Sequence, residues 1–425
     1  MTWPSSGNWL SDLIVSPLAR KLVLVLAIVL LAAVLRGLAV ARLPVDFDEP
    51  VYTEAGLVYA AAIRAGDLSL LRLDPAPEHP GLVKLVYGGV FLLSPSLWEG
   101  TGDPLPNPLP GGEGTGDPLP NPLPGGEGTR GTSAVVGVVH VLLLALVSPV
   151  AGALLAVHSY TVKYTAQVYL EALPMFTATL CVLSYMMAQK SSRKGREGSK
   201  ERQEESSWRS LPPWRPLREP FFWSISAVAL GLTAAGKYIY AVAGLAVAAD
   251  YLWRLAAERR PRGLLVLLGW GGLAVLAFFA ANPALWPDPF GGLLDSLAFH
   301  TAYSQSAHVQ QSGYPWYQPF VWLVAPMPVM WHPGIIVTPL DPLIALLGVV
   351  GLRPMARAWD GRGRVIVLWW GIGLLFALLW PTKWPQYSLI MTAPMCLCAA
   401  AGLRSVVQRL KELTQRTPRG QRTPS

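Results

Sequence analysis

Four carboxylates stand within nine residues in the stretch RLPVDFDEPVYTEAG: Asp46, Asp48, Glu49 and Glu54. They follow directly on the first long apolar run. Carboxylates set this close suit two tasks: taking a proton from an attacking hydroxyl, or coordinating a divalent cation that holds a phosphate. A structural use is equally open. Pro50 suits the first turn of a helix and acids favour that end, so the group also fits the start of an interfacial helix near Pro50. The segment runs on to EHPGLVK, where His79 and Lys84 flank the Pro80–Gly81 turn. A single His is ordinarily structural, and Lys84 is placed to snorkel to an interface.

Further polar groups stand out against apolar surroundings. Lys383 occupies the short turn WPTKWPQY, ringed by Trp380, Trp384 and Tyr387. A lysine at headgroup height suits a lipid phosphate, or is a tolerated charge within an aromatic belt. Glu171 and Lys237 fall within apolar sequence, where ionisable groups face a cavity or each other. The segment 282–334 carries His300, His308, Gln305, Gln310 and Gln311, then YPWYQPFVWLVAPMPVMWHP. Aromatic faces beside amides and histidines suit carbohydrate, and the same aromatics serve as membrane anchors. The His300–His308 spacing is not a zinc motif, and Cys181, Cys396 and Cys398 lie in apolar runs without a C-x-x-C pair. No metal site is expected from these. The cofactor stays open, with a divalent cation compatible with the paired carboxylates.

The elements that must position these groups are membrane spans. Of the 425 residues, 52% are apolar and 14% charged, against roughly a quarter charged in soluble domains. The apolar residues gather in runs long enough to cross a hydrocarbon core of about 30 Å. Spans are expected at 22–40, 82–97, 134–157, 167–188, 222–236, 238–252, 263–281, 335–352, 365–380 and 386–403. The first is too long for a signal-peptide core and is read as a retained helix, with Arg36 near enough to its end to snorkel. The net charge of +8 comes from Arg and Lys between runs and at the C-terminus, which reads as an orientation signal and not as a nucleic-acid surface.

Basic segments before the first span, at 189–220, at Arg254–Arg262, at Arg353–Arg364 and after Arg404 place both termini in the cytoplasm of a cell-membrane protein. The stretch Phe222–Trp253 is then two short segments, since one long helix would carry the Arg254–Arg262 cluster outside. About ten crossings follow, with 41–81, 282–334 and Pro381–Pro385 facing outward. The segment 101–114, TGDPLPNPLPGGEG, is repeated without change at 115–128. A Pro- and Gly-rich tandem copy of this kind reads as a disordered insert, bounded at 99–132.

In order and spacing, these residues resemble the polytopic GT-C glycosyltransferases, especially the protein O-mannosyltransferase (family 39) and aminoarabinose transferase types. The likeness rests on Asp48-Glu49 with Tyr52, on His79-Pro80-Gly81-Leu82, on Gly231-Leu232-Thr233-Ala234-Ala235-Gly236-Lys237-Tyr238, and on Lys383, Tyr387, Leu389 and Pro394. Gly81 stands where the family has a second proline, and Gln167 stands near Glu171 where the family has an arginine.

The resemblance implies an all-α bundle with catalytic loops on its outer face, and a polyprenyl-phosphate sugar as donor. A lipid, glycan or protein would be the acceptor, within a single membrane domain over 1–425. Asp48 would be the base, Glu49 its support, and Lys383 the contact to the donor phosphate. His79, Tyr387, Glu171 and Lys237 would complete the substrate site. Transfer by single displacement would invert the anomeric centre. The rivals are a transporter or lipid flippase, which call for ionisable groups at mid-membrane and paired repeats of broken helices, and a purely structural membrane protein.

Overall fold

A computed structural model describes residues 17–94, 126–201, 218–259, 263–328, 339–357 and 362–416. Every regular element among them is helical. Seven helices are long and apolar enough to cross a membrane, and Leu82–Leu93 is a shorter apolar helix. The protein is therefore a multi-pass all-α membrane protein. The ten spans expected from hydropathy are not all matched by long helices. The run at 134–157 breaks at Ser148 into α4 (Gly126–Val147) and α5 (Pro149–Val157), because Pro149 holds the residue before it in an extended conformation.

Burial separates the centre of the bundle from its rim. In α7 (Ala172–Glu201) and in the stretch containing α16 (Thr392–Arg416), 72% of the spanning window is buried, against 17% in α10 (Gly263–Ala280). An apolar helix with so little protein around it presents its surface to lipid. The central contact is close. A Cβ on Gly351 of α14 (Asp341–Arg357) would stand 1.7 Å from the Cys398 carbonyl oxygen, and one on Gly402 would stand 2.1 Å from that of Leu347. Only glycine lets these two backbones approach so nearly.

Helix α8 (Arg218–Gly236) and helix α9 (Val242–Glu258) form a hairpin turning at Lys237. A side chain at Gly244 would meet Leu230, and the Trp223 and Tyr251 rings lie 5.0 Å apart. Each of these pairs is symmetric about Lys237, so the chain doubles back there. A short 3₁₀ segment, Tyr238–Ala241, makes the corner and leaves the lysine at the hairpin tip.

Several sequence expectations change. Arg36 does not snorkel. It is fully buried on α1 (Pro17–Arg42) and donates to Thr165 Oγ1 and to the Ala32 and Ala156 carbonyls. Lys84 is likewise buried on α3 (Leu82–Leu93), bonded to the Asp74 carboxylate and the Ala76 carbonyl. The segment 95–125, with most of the expected insert 99–132, lies outside the described residues. Its last part is helical, since α4 begins at Gly126, with Thr129 and Arg130 buried. In the basic segment 189–220, α7 continues to Glu201, and 202–217 lie outside the described residues.

Candidate active site

The chain leaves α1 at Arg42 and enters α2 (Glu49–Ala65) through a six-residue corner, Leu43–Asp48. Asp48 is the N-cap of α2, Pro50 lies in its first turn, and Gly66 closes it with a left-handed φ of 64°. The expected interfacial-helix start near Pro50 and the acidic motif are therefore one structure.

The two adjacent acids face opposite ways. Glu49 is buried and spends its oxygens inward. Arg130 donates to Oε1 from Nη2 at 2.6 Å and to Oε2 from Nε at 2.7 Å. The Val168 and Asp46 N–H groups complete the set at 2.9 and 2.8 Å. Arg130 also holds the corner itself through the carbonyls of Val40, Leu43 and Pro44. Glu49 thus clamps the loop to α4 and is not a wall of the cavity, so its expected role beside the base becomes a positioning one. Asp48 makes no capping bond to its own helix and lines a cavity of about 1150 Å³. Burial holds its carboxyl up at about 6, with Lys237 opposing that rise and Asp46 and Glu171 adding to it.

Two ammonium groups line the same cavity. Lys237 comes from the hairpin tip, is bonded to the buried Glu171 carboxylate, and lies 5.8 Å from the Tyr387 ring centre. Glu171 sits behind it and takes one of an ammonium's three donors. Lys163 lies on α6 (Ser159–Tyr164), 2.6 Å from Asp46 Oδ2 and 4.7 Å from the centre of the Tyr164 ring. Sequence reasoning gave Lys163 no role and named Asp46 only as one of four clustered carboxylates. The available signal was a lysine between two tyrosines in apolar sequence, SYTVKYTAQVY, close before Glu171.

His79 lines the cavity, its ring centre 5.8 Å from Tyr52 and 5.4 Å from His300. Burial, then Lys237, His300 and Lys84, hold His79 well below its ordinary value, which makes it a neutral imidazole. The turn beside it is shaped for glycine. The Gly81 N–H donates to Asn282 Oδ1, and a Cβ there would stand 2.4 Å from the Tyr59 hydroxyl. A second proline at this position would remove the donor and collide with that ring. The segment 282–328 folds over the cavity, and α11 (Pro289–Tyr303) and α12 (Ala307–Ser312) supply His300, Tyr303 and His308 to its wall. His308 lies 5.2 Å from the ring of Trp384.

Tyr387 reaches the cavity, but Lys383 does not. Its ammonium is turned onto the C-terminal end of α15 (Arg362–Leu379), donating to the carbonyls of Ala377 at 3.0 Å, Leu378 at 2.8 Å and Trp380. The last turn of a helix leaves its carbonyls without partners, and a lysine satisfies them and the helix dipole together. All three donors are used, so the expected contact from Lys383 to a phosphate is replaced by helix capping. Among the described residues, no group of three or more His, Cys, Asp or Glu is arranged to hold a metal.

No protein-family model matches the chain, and no curated protein matches it. Three solved structures are similar to it. The S. cerevisiae protein O-mannosyltransferase Pmt1–Pmt2 complex bound to the sugar donor aligns over 69% of this chain and 35% of its own, at 20% identity and a TM-score of 0.37. The archaeal oligosaccharyltransferase AglB from Archaeoglobus fulgidus, in complex with an inhibitory peptide and a dolichol-phosphate, aligns over 98% and 53%, at 11% identity and a TM-score of 0.49. The A. fulgidus oligosaccharyltransferase tethered with an acceptor peptide aligns over 92% and 50%, at 12% identity and a TM-score of 0.47. The chain spans between about a third and about half the length of these structures.

Proposed function

We propose that this protein is a membrane glycosyltransferase that moves a sugar from a polyprenyl-phosphate donor to an acceptor hydroxyl at the extracytoplasmic face, with inversion. The observation that carries the reading is one cavity lined by Asp48, a carboxyl held at about 6, together with the Lys163 and Lys237 ammoniums. A base works best when its pKa lies near the working pH, and a leaving phosphate needs fixed positive charge where its own charge grows. In the reaction, Asp48 accepts the acceptor's hydroxyl proton as the oxygen attacks the anomeric carbon. The bond from that carbon to the phosphate oxygen breaks on the opposite face, and its electron pair leaves with the phosphate. Lys237 and Lys163 stabilise that charge. Glu49 and Arg130 hold the Asp48 corner, and Tyr387 and His79 line the substrate space.

Purified protein in lipid, given a radiolabelled polyprenyl-phosphate sugar and a hydroxyl acceptor, is expected to transfer label. Asp48→Asn is expected to reduce this about 10²- to 10⁴-fold, the range for loss of a positioned proton acceptor. Label transfer by Asp48→Asn at the wild-type rate would remove the base from the scheme. Vesicle uptake or lipid scrambling without transfer would favour the transporter reading.

A further inference from the structure

One cavity acid is left over by the scheme above. Asp46 is matched to Lys163 and Glu171 to Lys237, while Asp48 is assigned the proton. Glu78 also lines the cavity, and sequence reasoning gave it no role. Its side chain is 17% exposed, and its Oε1 lies 3.6 Å from His79 Nε2, beyond hydrogen-bonding reach. That imidazole is held neutral, so the pair carries no compensating cation. Lys84 is the next positive group, and it is already bonded to Asp74. Burial holds the Glu78 carboxyl above its ordinary value, with Lys84 opposing that rise.

The backbone of Glu78 is fastened from α11. Its carbonyl accepts from Ser296 Oγ on α11, and Ser296 lies 3.2 Å from the Tyr238 hydroxyl. The side chain is thereby presented on a wall that runs continuously from the proposed base. The Tyr52 N–H is bonded to the Asp48 carbonyl at 3.2 Å, Tyr52 packs on His79, and His79 packs on His300. Asp48, Lys237 and Glu78 line the same cavity, with His79 and His300 beside them. Aromatic and imidazole faces beside a carboxylate short of donors are a hydroxyl-binding surface.

We propose, resting on the glycosyltransferase reading, that Glu78 is the specificity-determining residue of the donor subsite: its carboxylate accepts hydrogen bonds from the hydroxyls of a neutral sugar and repels a sugar bearing a carboxylate. Selectivity then comes from attraction to one class and from unpaired like charge against the other.

The test uses the full chain in nanodiscs with three probes: polyprenyl phosphate, polyprenyl-phosphate glucose and polyprenyl-phosphate glucuronic acid. Glu78→Gln is expected to weaken the glucose donor about tenfold, as one charge-assisted bond is lost. Its affinity for polyprenyl phosphate alone is expected to stay unchanged, and its preference for glucose over glucuronic acid to shrink at least as much. Glu78→Asp, which keeps the charge, is expected to retain the preference. Unchanged discrimination in Glu78→Gln overturns the proposal, as does equal weakening toward all three probes, which marks a structural role. Wild-type protein that binds the donors but transfers none removes the enzyme reading, while the binding ratios still decide the role of Glu78.

Discussion

Two aspartates, Asp250 fully buried and Asp48 half-buried, are treated in opposite ways. Asp250 lies on α9 away from the hairpin tip. It is met by Arg364 at the start of α15, by the Tyr185 hydroxyl at 2.5 Å and by Gln189 Nε2 at 2.8 Å. Each of these three groups donates to it, so the carboxylate ties together α7, α9 and α15. Asp48 lies at the cavity end, with another acid beside it and its cations shared with Asp46 and Glu171. A satisfied buried carboxylate is a fastener. One left short of partners in a cavity has a pKa free to move and a lone pair free to react.

The comparison is broken most strongly at Asp48. Asp48→Asn should lower transfer about 10²- to 10⁴-fold with the melting temperature unchanged, measured by label transfer and a detergent melt. Asp250→Asn should do the reverse. It removes the charge that Arg364, Tyr185 and Gln189 share, and breaking a buried ion pair of this kind costs about 3–5 kcal/mol, while molecules that remain folded keep their turnover. If Asp250→Asn removed activity at full stability, the division between fastener and reagent would fail.

Smaller effects sharpen it. Arg130→Met should both destabilise the protein and lower transfer, because the buried Glu49 is unpaired and the Asp48 corner loosens; Asp48 alone should show no stability loss of that kind. The pH profile follows from the Asp48 value of about 6. A base must be unprotonated, so transfer should be flat above that value and fall about tenfold for each pH unit below it. A limb near pH 4 would instead fit a well-solvated carboxylate. Smallest of all, Lys383→Met should cost about 0.3–1 kcal/mol of stability through the lost helix-end charge and leave donor affinity within about twofold. A large loss of donor affinity there would return Lys383 to the phosphate site.

Much of the fold was legible because a lipid solvent imposes a one-dimensional code. Run length, proline and glycine placement, and basic segments are local in sequence, and the hairpin at Lys237 follows from them. The kink at Ser148–Pro149 was passed over because its flanks are apolar on both sides, so hydropathy is continuous through a break that is steric. The capping position of Lys383 is hidden in the sequence for a related reason. A lysine ringed by aromatics reads the same whether it faces a headgroup or the end of its own preceding helix.

By itself, then, the sequence determined a multi-pass helical membrane protein and the cluster of acids after its first helix, since apolar run length and charge placement need no knowledge of the fold. Only the tertiary structure decided which acid does what. Glu49 meets Arg130 across 81 positions, from a segment that looked like an insert, and Glu171 meets Lys237 across 66. The cost of burying a charge depends on whether a partner arrives, and partners so distant in sequence leave no periodic trace. Glu49 was thereby turned into a clamp, and Asp48 was left facing the cavity.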